Sequence, residues 1–107
     1  MDENNLETIM GLIINAGNAK SDAMEAIQAA KKGDFKVADE KLASANEFLV
    51  KAHHSQTGLL TAEAGGEKID ISLLMVHGQD HLMTSIAFND LAKEVVDVYR
   101  KIYEDEK

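Results

Sequence analysis

Three long segments of the chain repeat apolar residues at intervals of three and four, and the 107 residues contain no proline. That spacing is typical of one face of an α-helix, and proline is the strongest interruption of a helix. The sequence therefore predicts three helices, at about residues 4–31, 35–64 and 70–103. The breaks at 31–34 and 65–68 are short, so consecutive helices are expected to pack antiparallel. The predicted fold is all-α, an up-down-up antiparallel three-helix bundle, in one domain that spans residues 1–107.

The two breaks contain residues that end one helix and begin the next. The lysines at 31–32 suit the negative end of a helix dipole. Gly33 suits the left-handed position that follows a helix, and Asp34 suits the N-cap of the next helix. At the second break, either Asp70 or Ser72 can cap the third helix.

The apolar rows predict which side of each helix is buried. In the first helix only Lys20 interrupts the apolar row. Gly17 costs that helix about 1 kcal/mol relative to alanine. Two interpretations stay open: a closely approaching helix offsets the cost, or the helix tolerates it. The row of the third helix expected to face the core is Leu74, Gly78, His81, Ser85, Phe88, Ala92, Val95, Tyr99 and Ile102.

Composition excludes several classes of function. The formal net charge of −8 argues against binding to nucleic acid and to an anionic membrane surface. There is no cysteine, which excludes disulfides and thiolate chemistry. No stretch approaches the roughly 20 apolar residues that span a bilayer, so no membrane insertion is expected. The acidic start of the chain does not resemble a signal peptide, so a cytoplasmic protein is predicted.

The densest group of reactive side chains lies in the third predicted helix. His77, Asp80, His81 and Thr84 are spaced so that they share one helical stripe, while Gln79 faces the other way. From spacing alone, three interpretations stay open: histidines satisfied within the core, a metal site that uses both histidines, or a histidine that carries a phosphoryl group. The His-Glu-x-x-His pattern of zinc proteases is absent.

Two further residue choices are also left open by spacing. Asp80 can orient a histidine, bind a metal ion or remain solvated. His53 and His54 are about 100° apart on a helix, so they cannot both point at one ligand. Their roles are not assigned by the sequence.

The sequence resembles the lactose/cellobiose family of enzyme IIA components of the sugar phosphotransferase system. The resemblance rests on VHGQDHLMT at 76–84, and MGLIINAG at 10–17, KGDF at 32–35 and AHHSQT at 52–57 follow the same family in the same order. It covers nearly the whole chain. It implies that His77 accepts a phosphoryl group from phosphorylated HPr and passes it to the cysteine of the cognate enzyme IIB. The transported sugar is then a β-linked disaccharide. Cellobiose, chitobiose and lactose all stay open, with the cellobiose or chitobiose type favoured.

The resemblance also implies an assembly and a metal. Three copies would form a homotrimer, with one Mg²⁺ per trimer shared by Asp80 of the three subunits. For His81 we form a separate hypothesis from its position one turn after His77: an N–H of its ring stabilises the phosphoryl group without accepting it. The competing interpretation is a core residue that matters only for packing. The alternative function for the whole chain is a non-catalytic helical interaction or metal-binding module.

Overall fold

The computed structural model describes residues 3–106, with side chains from residue 5 onward, as three α-helices. They are α1, Glu3–Lys31, α2, Phe35–Ala64, and α3, Leu73–Asp105, and the described residues include no strand. Together they form a rod of 59 × 20 × 19 Å in which α1 packs against both other helices. The predicted all-α three-helix bundle is confirmed. The predicted domain also includes residues 1, 2 and 107, which lie outside the described residues.

The first turn has the structure that its residues predict. Gly33 has φ +83°, in the left-handed region, and a carboxylate oxygen of Asp34 accepts a hydrogen bond from the Val37 amide at 3.3 Å. From the far end of α3, the Tyr103 hydroxyl donates a 3.0 Å hydrogen bond to the Lys31 carbonyl. The turn is therefore held both by its own cap and by α3.

The third helix begins after Ser72, one of the two predicted caps, and ends later than predicted. Ser72 is its N-cap, with extended backbone at φ −125° and ψ 165°, and its hydroxyl accepts a 3.1 Å hydrogen bond from the Met75 amide. The alternative start at Asp70 is wrong, because a residue in that extended conformation cannot lie inside a helix. At the other end α3 continues to Asp105 rather than stopping near residue 103.

The core is rich in small side chains, and α1 supplies more of its buried apolar residues than either other helix. The fully buried residues of α1 are Ile9, Leu12, Ala16, Ala19, Ala23, Ala26 and Ala30. Alanines at this spacing let the neighbouring helices approach closely. Gly78 of α3 lies in the same contact, since a Cβ there would be only 3.3 Å from Leu12 Cδ2.

The predicted core row of α3 is partly wrong. Three of its members, Gly78, Ser85 and Ala92, are buried, but Ile102 is 46% exposed. The row actually buried is Met75, Gly78, Leu82, Ser85, Asn89, Ala92 and Val96. The prediction followed the side of α3 that faces α1, whereas the buried face is centred between α1 and α2 because α3 packs against both.

The side of α3 opposite the core carries a second apolar row. We call it the outer row, and it consists of Leu73, Val76, Asp80, Met83, Ala87, Leu91, Glu94 and Val98. Its members recur at intervals of three and four and are all exposed, Leu73 by as much as 87%. A row of exposed apolar residues at this spacing is typical of a helix that packs against another chain.

Candidate active site

The predicted reactive stripe lies in the second and third turns of α3. His77 and Asp80 are exposed, whereas His81 is half-buried on the side towards α1. The Thr84 hydroxyl donates a 3.2 Å hydrogen bond to the His81 carbonyl, so it is tied to the backbone of its own helix. Gln79 faces α2, where its side-chain oxygen accepts a hydrogen bond from the Gln56 amide. The structure thus separates the histidine side of α3 from the Gln79 side, as predicted.

The two imidazole rings of the stripe are neighbours. The centroids of His77 and His81 are 5.8 Å apart and the ring planes differ by only 7°. This confirms that the residues share a face, which was expected from their spacing of four. The exposed ring of His77 is open to a partner molecule, while the His81 ring lies behind it against the bundle.

A glycine of α1 provides the space for His81. A Cβ at Gly17 would lie 3.4 Å from His81 Nε2, so that any longer side chain would compete with the ring for the same volume. Of the two interpretations of Gly17, the structure favours close approach, and the neighbour is a side chain of the reactive stripe. Nothing in the spacing along α3 predicts this contact, because it joins two different helices.

The electrostatic surroundings of His81 favour its neutral form. Burial lowers the pKa of the His81 imidazole below its ordinary value, and the charges of Lys20 and His77 lower it further. The carboxylate of Asp80 acts in the opposite direction. A neutral imidazole carries a single N–H, which leaves the ring one donor and one acceptor.

Asp80 is exposed and is not paired with either histidine. Among residues 3–106, no ion pair joins it to His77 or His81, so the interpretation of Asp80 as a histidine-orienting carboxylate is not supported. It lies instead in the outer row, exposed between Val76 and Met83. Within the described part of one chain, no three metal-binding side chains come together.

The surroundings of His77 are apolar. Leu73 and Leu74 join His77 in lining a shallow recess at the start of α3. Leu74 is half-buried, whereas Leu73 and Val76 are exposed. An exposed imidazole with an apolar border is suited to a protein partner that covers the ring and excludes water from it.

The other two histidines lie in different grooves. His53 borders a groove between α2 and α3, together with Val50 and Ile86. His54 borders a groove between α2 and the start of α1, beside Asn5. The two rings therefore do not face one ligand, as their spacing predicts.

The fold and the site place this chain in the class of helical bundles that present an exposed histidine with a second imidazole behind it. The family model described as the PTS system, lactose/cellobiose-specific IIA subunit, matches residues 7–100. The chain belongs to this family of phosphotransferase enzyme IIA components.

Relatives match over most of their length. The lichenan-specific phosphotransferase enzyme IIA component of Bacillus subtilis is 51% identical over 104 residues, which are 97% of this chain and 94% of that protein. The cellobiose-specific EIIA component of Lactococcus lactis subsp. lactis is 56% identical over 88 residues, which are 82% of this chain and 76% of that protein. The predicted family is confirmed.

Solved structures share the fold. The cellobiose-specific enzyme IIA from Bacillus anthracis superimposes with a TM-score of 0.93 at 46% identity, over 97% of this chain and 95% of that one. The IIA(chitobiose) of Escherichia coli, solved in complex with HPr, gives a TM-score of 0.82 at 40% identity, over 96% of this chain and 99% of that one. Among the described residues, no helix is both long enough and apolar enough to cross a membrane.

Proposed function

We propose that this chain carries a phosphoryl group on His77, which it receives from phosphorylated HPr and gives to the cysteine of a cognate enzyme IIB. The observation that carries the proposal is the position of His77, an exposed imidazole on the rigid third helix, bordered by apolar residues and backed by His81. A relative of the same fold has been solved in complex with HPr, which supports HPr as the donor. Both partners are cytoplasmic in such a pathway, and we place this chain there too.

The chemistry is a transfer between two nitrogens and then to sulfur. A ring nitrogen of neutral His77 attacks phosphorus in line, the N–P bond of the donor histidine breaks and a new N–P bond forms. In the second step the thiolate of enzyme IIB attacks the same phosphorus, and His77 leaves as the free imidazole. The chain never contacts the sugar in this scheme.

His81 has a supporting role in this proposal. Its ring lies 5.8 Å from that of His77, centroid to centroid, and it is held against α1 at Gly17. As a neutral imidazole it offers one N–H to the oxygens of the phosphoryl group on His77. It remains unphosphorylated because it is half-buried and the partner proteins reach His77 first.

The sugar is proposed to be a β-linked disaccharide of the cellobiose type. The relatives named for cellobiose and lichenan are 56% and 51% identical to this chain, while those named for chitobiose and lactose are 42–44% identical. A relative named for galactose is 53% identical, so identity separates the sugars only weakly. Phosphoryl transfer from this chain to a set of enzyme IIB proteins of different sugars would reveal the cognate one.

The active form is proposed to be a homotrimer assembled through the outer row of α3. That row is apolar and exposed along the helix, with Asp80 inside it. Carboxylate oxygens suit Mg²⁺, and one chain supplies a single carboxylate at this position. Asp80 of three copies would hold one Mg²⁺ on the trimer axis, where the ion offsets the repulsion between the carboxylates.

The His77→Ala variant tests the carrier function. It is expected to fold, since His77 is exposed, and to accept no phosphoryl group from phosphorylated HPr. Mass spectrometry after incubation measures the added group, and the loss of that group in acid identifies a phosphohistidine. His54→Ala is the matched control, because it removes another exposed histidine and should leave phosphorylation intact.

Full phosphorylation of the His77→Ala variant would contradict the assignment to His77. An acid-stable phosphoryl group on the unmodified chain would contradict a phosphohistidine. If the unmodified chain accepts no phosphoryl group at all, the alternative of a non-catalytic interaction or metal-binding module takes its place.

A further inference from the structure

Lys20 is a half-buried lysine in the row of small, buried residues on α1. One turn on either side of it, Ala16 and Ala23 are fully buried. The ion pairs of the described residues use Lys41 and Arg100, so no described carboxylate lies within 4.0 Å of the Lys20 ammonium group. A charged group at a half-buried position is costly unless it is paired with an opposite charge. The unpaired ammonium group is therefore available to bind an anion.

The position of Lys20 relative to the histidines follows from the contact between α1 and α3. Gly17 is the point at which α1 meets the His81 ring, with a Cβ there only 3.4 Å from Nε2. Lys20 lies one helical turn further along the same edge of α1, and residues three apart on a helix are neighbours. Its charge acts on the His81 ring. Because α1 and α3 run parallel, His77 lies on the N-terminal side of this level, so the stem of Lys20 has to extend back past Gly17 to bring the ammonium group towards His77. Side chains of a helix lean towards its N-terminus, which is that direction, and the lysine stem is long and flexible.

A positive charge nearby would stabilise the phosphorylated state of His77. A phosphoryl group brings negative oxygens to a chain whose formal net charge is already −8. Asp80, one turn away on the same helix, repels those oxygens. His81 can offer an N–H, but as a neutral ring it supplies no charge. The described cation on the α1 side of the histidine pair is Lys20.

We propose that Lys20 is the cation of the phosphoryl site, and that its ammonium group donates to the oxygens of the phosphoryl group held on His77. This assignment rests on the proposed phosphorylation of His77. In this proposal α1 contributes two residues to a site otherwise built from α3. Gly17 leaves room for the His81 ring, and Lys20 stabilises the phosphorylated state. No covalent bond to Lys20 forms, and its proton is not transferred.

The competing role for Lys20 is a passive one. In that case the stem packs against α3 and the ammonium group stays in solvent. The Lys20→Met variant separates the two roles, because it keeps an unbranched stem of similar length and removes the charge. Lys20→Arg keeps the charge and should rescue most of the effect. Lys36→Met, at an exposed position near the start of α2, is the matched control for loss of one positive charge.

The decisive measurement is the equilibrium constant for phosphoryl exchange between HPr and this chain, together with the single-turnover rate. Loss of a charged hydrogen bond worth about 1.5–3 kcal/mol corresponds to a shift of roughly ten- to a hundredfold towards phosphorylated HPr. Lys20→Met is expected to show that shift, and a slower forward rate, while Lys36→Met matches the unmodified chain.

Each other outcome overturns the assignment. An unchanged rate and equilibrium constant in Lys20→Met would leave Lys20 a passive surface residue. A slower rate with an unchanged equilibrium constant would place Lys20 in docking of the donor, because an equilibrium constant does not depend on how well the donor docks. Failure of the carrier function is recognised separately, since the unmodified chain would then take up no phosphoryl group.

Discussion

At the scale of single residues, the distinction between His77 and His81 is one of exposure rather than of chemistry. Both are imidazoles with nearly parallel rings, but His77 is open to a partner while His81 is half-buried against Gly17. The first ring can therefore be reached by a donor protein, and the second can be held in a fixed position. Fixed donors stabilise developing charge better than mobile ones, because they do not reorganise during the reaction.

The His81→Ala variant should keep the phosphorylation site on His77 and transfer more slowly. Loss of one donor to the phosphoryl oxygens is expected to reduce the single-turnover rate by roughly ten- to a thousandfold. Thermal unfolding of the same variant separates this role from packing. Unchanged transfer with a lower unfolding temperature would show that His81 serves the core alone.

At the scale of the helices, α3 begins one turn before His77. The Ser72 hydroxyl caps the helix by accepting from the Met75 amide at 3.1 Å, and His77 follows in the next turn. The equivalent cap on α2 is Asp34, at the opposite end of the rod from this site. The two caps are expected to stabilise their helices to a similar extent, but only the Ser72 cap lies near His77.

Removing the two caps should cost similar stability but different activity. Ser72→Ala and Asp34→Ala are each expected to lower the free energy of unfolding by about 1 kcal/mol. Only Ser72→Ala should increase hydrogen exchange at the amides of Met75 and Val76 and slow transfer to His77, because the first turn of α3 frays. Equal transfer rates in both variants would show that the site does not depend on the order of that turn.

At the scale of the whole molecule, the apolar outer row of α3 is the feature that a single bundle leaves unexplained. The opposite face of α3 is buried against α1 and α2, yet Val76, Met83 and Leu91 of the outer row remain more than half exposed. Self-association through this row would bury them. It would also bring the copies of Asp80 together, where they repel unless a cation lies between them.

Asp80→Leu should abolish stoichiometric binding of Mg²⁺ while the trimer persists or becomes more stable. Three apolar side chains then replace three mutually repelling carboxylates. Sedimentation measures the mass of the assembly, and metal analysis after gel filtration measures the bound ion. Glu94→Leu removes the other carboxylate of the outer row and should leave the ion in place. A monomer at micromolar concentration for the unmodified protein would refute the assembly.

What the sequence determined by itself was local. The number of helices, the cap at Asp34 and the shared face of His77 and His81 all depend on residues a few positions apart, whose geometry a helix specifies. The choice between Asp70 and Ser72 was left open, because both can cap and only the extended backbone before α3 decides. The family could also be recognised, since its motif lies within a single segment of α3.

What the tertiary structure decided was which helix lies beside each residue. The core row of α3 was predicted too far towards α1, since spacing along one helix does not reveal that a second helix also packs on it. In the sequence, Gly17 is a cost to α1 that a closely approaching helix can offset, and Lys20 is an interruption of the apolar row, with no sign of which residue lies beside either. Their connection to His81 exists because α1 and α3 pack closely at that level, and contacts between distant segments depend on packing rather than on local sequence.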